Sequence, residues 1–134
     1  MPECIQPENG KSYDHMDSSF VVMPRDTNHY GNVHGGIIVV AADNLAYAIA
    51  ARFSRSNVVT ARIGEWDFIH PVHAGDNVLL AADIVRVGHS SMDVRICVSG
   101  EVLKTGETFA VASALLTMVA VDEHGKPNPF VPRA

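Results

Sequence analysis

The stretch from Ile37 to Phe53, IIVVAADNLAYAIAARF, decides the fold because it is apolar over most of its length. As a helix it would extend about 25 Å, and because it is apolar nearly all round it would need to be enclosed by the rest of the chain. Asp43 and Asn44 interrupt it, so it falls short of the run of about 20 apolar residues that a membrane span requires. An alternative is a β-branched strand, IIVV, followed by a shorter helix that Asp43 caps. We favour one continuous helix because no turn signal separates the two pieces.

Strand-like runs lie on both sides of this helix. SSFVVMP at 18–24 predicts a short strand, and the Asn- and Gly-rich segment 25–36 predicts a loop. After the helix, NVVTARIGEWDFIHP at 57–71 is interpreted as one strand that Pro71 ends. Residues 77–122 predict three more strands, with breaks at VGHSS and KTGE. The Pro-rich tail that follows cannot continue a ladder of backbone hydrogen bonds.

The order of these elements predicts an α+β fold. A helix that is apolar on most sides can be covered by a strongly curved antiparallel sheet, which the four strands after it would supply. The length of 134 residues is typical of one domain. We expect a polar N-terminal arm at 1–18 and a single domain at 19–134.

Composition and charge restrict the partners and the compartment. The formal net charge of -5 gives no basic field, so neither nucleic acid nor an anionic membrane is an expected partner. Cys4 and Cys97 are too few for a disulfide scaffold, and Cys97 is interpreted as a buried thiol in a strand. The first residues lack the basic and apolar regions of a secretory signal. We therefore expect a soluble, cytoplasmic protein.

The start of the long helix is the first candidate site. Gly35 and Gly36 let a ligand approach the backbone closely, and unpaired N–H groups at a helix start can hold a developing oxyanion. Asp43 follows two helical turns later on nearly the same face, where an apolar wall would raise its pKa and suit it to act as a general base. The plainer alternatives are a tight glycine turn and a buried carboxyl that a nearby donor satisfies.

Other polar residues give weaker signals. Asn28 lies in the loop before the helix, where its amide could orient a water or donate to a carbonyl, or simply form a turn. Among the seven histidines, two close pairs, His29 with His34 and His70 with His73, lack a third ligand at metal-site spacing. No Ser lies in a nucleophile motif and Cys97 shows no local activation, so we expect neither a metal nor a Ser or Cys nucleophile.

NHYGNVHGG at 28–36, followed by Asp43, resembles the hotdog-fold acyl-CoA thioesterases, in particular the YciA and brain acyl-CoA hydrolase branch. HGGIIVVAADNLAYAIA at 34–50 also resembles the phenylacetyl-CoA thioesterases. The resemblance implies a long helix wrapped by a curved antiparallel sheet, and thioester hydrolysis at an interface between two protomers. It implies that Gly36 N–H polarises the thioester carbonyl, that Asp43 acts as general base or, less simply, as nucleophile, and that Asn28 of the other protomer orients the water or the carbonyl.

The same resemblance implies a set of substrate-binding residues. The pantetheine arm would follow a strand edge, and the turn after it would meet the CoA phosphates. The implied residues are His34, Gly35, Val58, Val59, Thr60, Arg86, Gly88, His89, Ser90 and Ser91. Coenzyme A is then part of the substrate, and no separate cofactor is expected. A homo-oligomer built from dimers, tetrameric or hexameric, is implied as well.

Two other functions stay open at this point. A hotdog protein could bind an acyl-CoA as a sensor without turnover, although a pure binder has no need of an acid beside a carbonyl site. A hotdog dehydratase acting on an acyl thioester would need a catalytic histidine, for which His34 is the candidate. The sequence alone does not indicate the length or the polarity of the acyl group.

Overall fold

The structure, a computed structural model, describes residues 10–132. One long helix and five strands account for most of these residues, with a short 3-10 turn at Pro24–Asp26. In chain order the elements are β1 (His15–Val21), α1 (Gly35–Ser54), β2 (Asn57–Ile63), β3 (Asn77–Val87), β4 (Ser91–Val102) and β5 (Glu107–Val121).

The five strands form one antiparallel sheet in the order β1-β3-β4-β5-β2, and α1 contacts every strand of it. Burial alternates along β4, as expected for a sheet with one face on a core. The core consists of that sheet face and one side of α1, including Ile38, Ile49, Ile96 and Leu116. The predicted α+β architecture, a long helix wrapped by a curved antiparallel sheet, is confirmed.

α1 is one continuous helix, so the alternative of a strand followed by a short helix is wrong. It begins at Gly35 after the N-cap His34 and ends before Arg55, which adopts a left-handed conformation. The helix is not enclosed on all sides, however, because Val40 and Tyr47 are 60% and 51% exposed. Its length and hydropathy would suffice for a membrane span, but here its buried side packs on the sheet as a core helix.

Two predicted strand boundaries differ from the structure. β1 already begins at His15, inside the stretch predicted as the polar arm; residues 1–9 lie outside the described part of the chain. β2 ends at Ile63, so the prediction of a strand up to Pro71 is wrong. A Cβ on Gly64 would lie 2.8 Å from the carbonyl oxygen of Leu115, so only glycine fits where the chain leaves the ladder.

Cys97 also differs from its interpretation. Its residue is partly exposed, on the sheet face away from α1, and it is disulfide-bonded. The prediction of a buried thiol is therefore wrong. Cys4 lies outside the described residues.

Candidate functional site

The first turn of α1 presents free backbone donors. Within residues 10–132, the N–H groups of Gly35 and Gly36 have no hydrogen-bond acceptor, as expected at the start of a helix. Gly36 is exposed, and a Cβ added to it would meet nothing within 4 Å. His34 is exposed as well, and its side chain does not cap the helix. The start of α1 is thus open to a ligand carbonyl or anion.

Asp43 is held by a hydrogen bond from the neighbouring strand. The Thr60 hydroxyl donates to Asp43 Oδ1 at 2.6 Å, and Asp43 is partly exposed rather than buried. The register of β2 against β5 shifts between Thr60 and Arg62, and such a bulge re-aims the side chains next to it. Within one protomer, Asp43 is therefore not enclosed by an apolar wall, and the Thr60 hydroxyl orients its carboxylate.

Asn28 has one end of its amide fixed and the other free. Its Oδ1 accepts hydrogen bonds from the backbone N–H groups of Tyr30 and Asn32. No acceptor for its Nδ2 occurs among residues 10–132. Asn28 can therefore form the turn with its Oδ1 and still offer its Nδ2–H groups as donors to a ligand.

A cleft of about 450 Å³ opens beside the start of α1. It is lined by Asn28, Asn32, Val33, Gly35, Ile38, Phe68, Ile69, His70, Pro71, Val72 and Val111. Asp43 and Thr60 are not among these lining residues. One protomer therefore contains two separate polar groups: Asn28 in the cleft, and Asp43 with Thr60 outside it. Gly35, which also lines the cleft, is the first residue of α1.

The predicted CoA-contacting turn lies at the same end of the sheet as Thr60. Ser91 pairs with Val119 of β5, and Val119 pairs in turn with Val59 of β2. At a strand spacing of about 4.8 Å, Ser91 and Val59 are about 10 Å apart across the sheet. Val59 and Thr60 are exposed, whereas Val58 is buried in the core and presents no side chain to a ligand.

Arg86, which was assigned to the CoA phosphates, is engaged within this chain. Its guanidinium donates to both carboxylate oxygens of Asp93 and to Ser91 Oγ. Although burial acts in the opposite direction, hydrogen bonds from Arg86 and Thr117 lower the pKa of Asp93. A Cβ on Gly88 would lie 2.7 Å from Ser91 Oγ and 3.1 Å from a guanidinium nitrogen of Arg86, so a larger residue there would displace these two side chains. His89 and Ser90 complete the turn, and their backbone carbonyls accept from Phe130 and Ala120.

Sequence reasoning missed two aromatic residues beside the cleft. Phe68 and Trp66 stack with their ring centroids 5.9 Å apart and their planes 13° from parallel. A Cβ on Gly35 would lie 3.3 Å from the ring of Phe68, so this ring rests on the first turn of α1. They were missed because residues 57–71 were interpreted as a single strand, which would include both aromatic residues.

Comparison with known proteins gives the family. Residues 30–107, more than half of the chain, match the Thioesterase superfamily. The uncharacterised acyl-CoA thioester hydrolase YkhA of Bacillus subtilis (strain 168) is 42% identical over 112 residues, which are 84% of this chain and 64% of that relative. The chain thus spans slightly less than two thirds of the length of this relative.

Solved structures share the fold. The crystal structure of an apo-hexameric acyl-CoA thioesterase has a TM-score of 0.84 and 37% identity, covering 88% of this chain and 76% of that chain. The acyl-CoA hydrolase from Staphylococcus aureus, in complex with butyryl coenzyme A, coenzyme A and coenzyme A disulfide, has a TM-score of 0.82 and 30% identity over 88% and 72%. Variants of the latter enzyme in which alanine replaces an aspartate, a threonine or an asparagine have also been solved. The predicted resemblance to the hotdog thioesterases is confirmed, and the chain belongs to the thioesterase superfamily.

Proposed function

We propose that this protein hydrolyses acyl-CoA thioesters to a free acid and coenzyme A. The observation on which this rests most directly is the Asp43 carboxylate, oriented by Thr60 two helical turns beyond the free N–H of Gly36. Gly36 and Asp43 are about 10 Å apart along the helix axis. That interval leaves room for a thioester carbonyl and one attacking water between the donor and the acid.

In the proposed reaction, Gly36 N–H donates to the thioester oxygen and stabilises the negative charge that develops on it. Asp43 takes a proton from water, and the resulting hydroxide attacks the carbonyl carbon. Collapse of the tetrahedral intermediate breaks the C–S bond, and coenzyme A leaves as the thiolate and takes up a proton. In a second route, Asp43 attacks the carbonyl carbon directly as a nucleophile, and kinetics must distinguish this route from general-base catalysis. No cofactor takes part in either route.

We propose further that the complete site forms between two protomers. Asn28 lines a cleft that does not include Asp43, so each protomer offers two half-sites. The face of α1 that includes Val40 and Tyr47 is exposed, and β2 is an edge strand of the sheet. A second copy that covers this face would bring its Asn28 Nδ2 towards the first copy's Asp43, where it can hold the water or the carbonyl. The hexameric state named for one structural neighbour supports an oligomer.

The nucleotide end of coenzyme A is assigned to the turn between β3 and β4. The sheet register supports this, since Ser91 is about 10 Å from Val59 at the β2 edge. Because Asp93 already pairs with Arg86, the backbone N–H groups of His89 and Ser90 are the better candidates for the phosphates. The pantetheine arm would then follow Val59 and Thr60 along the exposed strand.

Thiol release from a panel of acyl-CoAs tests this function, with the unaltered protein, Asp43→Asn and Asp43→Ala measured in parallel. Both variants should lose about 10²-fold or more in kcat while the fold persists, because the amide and the methyl group cannot accept a proton. Circular dichroism melts provide the control for folding. Full activity in both variants would exclude Asp43 as the base, and tight binding without turnover in the unaltered protein would establish the sensor instead.

A further inference from the structure

We propose that the stacked rings of Trp66 and Phe68 form the specificity-determining wall of the acyl site, and that this site takes uncharged, apolar acyl groups. The inference rests on the proposed thioesterase function, since it assigns the cleft beside Gly35 to the acyl part of the substrate. Phe68 would contact the acyl group, and Trp66 would act through Phe68 as a positioning residue.

Phe68 lies close to the place where the thioester carbonyl would bind. Its ring rests on Gly35, the residue before the proposed carbonyl donor Gly36. If the thioester oxygen accepts a hydrogen bond from Gly36 N–H, the acyl chain must extend from the carbonyl carbon along one side of the first turn of α1. The cleft that Phe68 lines together with Ile38 and Val111 opens beside this point. The first carbons of the acyl chain would therefore meet the Phe68 ring.

The backbone around Phe68 is fixed while its side chain stays exposed. Gly64 N–H donates to Leu115 and Ile69 N–H donates to Val111, so the segment is anchored to β5 at both ends. Phe68 and Ile69 are nevertheless 45% and 57% exposed. Two large apolar side chains on an anchored segment at a cleft are typical of a ligand-contacting wall rather than of a core.

Trp66 packs between Phe68 and the core. It is partly buried and packs against the core, and its ring is nearly parallel to that of Phe68. Offset stacking of this kind stabilises one orientation of the outer ring. Removing the Trp66 ring should therefore loosen Phe68 without removing any group that touches the substrate.

The lining of the cleft determines the class of acyl group. Its accessible apolar surface comes from Phe68, Ile69 and the partly buried Val33, whereas Ile38, Val72 and Val111 lie behind it without exposed surface. Asn28, Asn32 and His70 supply its uncharged polar part. No Lys or Arg occurs among its described lining residues. A carboxylate at the far end of an acyl group would lose hydration there without a Lys or Arg to pair with, and the Nδ1 of the one lining histidine, His70, already contacts the carbonyl oxygen of Pro71, so dicarboxylic acyl-CoAs should be poor substrates.

The test compares kcat/KM for butyryl-, octanoyl-, palmitoyl- and glutaryl-CoA. In the unaltered protein, glutaryl-CoA should be hydrolysed at least about 100-fold less efficiently than the apolar ester of similar length. Phe68→Leu should raise the ratio of palmitoyl to butyryl turnover by about tenfold, because the smaller side chain widens the wall, and Phe68→Trp should lower it. Trp66→Leu should shift this ratio in the same direction as Phe68→Leu, through KM more than kcat.

Tyr13→Leu is the matched control, since Tyr13 is 43% exposed and contacts Phe53 at the other end of α1. An unchanged acyl preference in Phe68→Leu, or an equal shift in Tyr13→Leu, would overturn the inference and leave the thioesterase function intact. Loss of all turnover in a folded Phe68→Leu, equal for every ester, would also overturn it, because the ring would then serve catalysis rather than selection. Absence of turnover in the unaltered protein would overturn both proposals.

Discussion

The hydroxyl of Thr60 donates a 2.6 Å hydrogen bond to Oδ1 of Asp43, and thereby joins strand β2 to helix α1 at the candidate site. A carboxylate that acts on a water must present one oxygen at a defined angle. Because Oδ1 accepts from the hydroxyl while Oδ2 has no donor among residues 10–132, we expect Oδ2 to face the water. The hydrogen bond from Thr60 therefore determines the orientation of Asp43. Its loss should lower kcat more than it changes the binding of the substrate.

Replacement of Thr60 tests this directly. Thr60→Val retains the shape of the side chain but removes the donor, and it should lower kcat by about tenfold with little change in KM. Thr60→Ser retains the hydroxyl and should recover most of that loss. Thr108→Val, an exposed position near the far end of β5, is the control and should leave both constants unchanged. Equal activity of the Val and Ser variants would contradict an orienting role for the hydroxyl.

Gly36→Ala separates folding from catalysis at the helix start. No atom lies within 4 Å of the Cβ it would add, and alanine is the better helix former, so stability should rise by up to about 1 kcal/mol. The same methyl group would project beside the proposed carbonyl donor, so kcat/KM should fall at least about tenfold.

Gly35→Ala is the comparison for this variant, since its Cβ would lie 3.3 Å from the ring of Phe68 and force a small displacement there. Thermal unfolding and steady-state kinetics on the same preparations distinguish the two effects. A Gly36→Ala protein with full activity would exclude close approach of the substrate to this residue.

A charge on the exposed side of α1 should separate the protomers. Tyr47→Glu places a carboxylate on that side, about one helical turn after Asp43, and sedimentation should then show a monomer with an intact fold. Activity should fall along with assembly, because Asn28 of the second protomer would be missing. Leu103→Glu, at a similarly exposed apolar position in the β4–β5 turn, is the control and should keep both assembly and activity. A fully active monomer would refute the shared site.

The sequence was informative where the decisive forces are local. The helix from Ile37 to Phe53 was predicted because its apolar length and lack of turn residues leave few other conformations. The end of β2 was missed because it depends on Gly64 approaching the carbonyl of Leu115, a contact between residues far apart in the chain. The orientation of Asp43 by Thr60 was missed for the same reason, since it depends on a hydrogen bond between a strand and the helix, across 17 residues of sequence.

A cluster of polar side chains on β1 and its neighbours should make the stability of the fold depend on pH. Asp83, only 6% exposed, accepts hydrogen bonds from Ser12, His15 and Arg95. The hydrogen bond to Asp83 raises the pKa of His15 above its ordinary value of 6.5, and Asp17 adds to this. Although burial opposes it, the hydrogen bonds from Ser12, His15 and Arg95 lower the pKa of Asp83 below its ordinary value of 3.8.

The directions of the two pKa shifts define the pH range in which the cluster stabilises the fold most. His15 contributes fully below its unfolded-state pKa of 6.5 and loses this contribution as the pH rises through its higher folded-state pKa. Asp83 contributes above 3.8 and loses its contribution as the pH falls through its lower folded-state pKa. The cluster should therefore stabilise the fold most between about pH 4 and 6.5 and weaken above that range.

Denaturant unfolding at pH 5.5 and pH 8 measures the effect. The unaltered protein should lose stability between these two values, by less than about 1 kcal/mol because His15 is half exposed and solvent screens its charge. His15→Gln should remove most of that difference, while His124→Gln, whose side chain is 76% exposed, should leave it unchanged. If His15→Gln retains the full pH dependence, the titrating group lies elsewhere, and Arg95 and Ser12 alone hold Asp83 and keep β1 on the sheet.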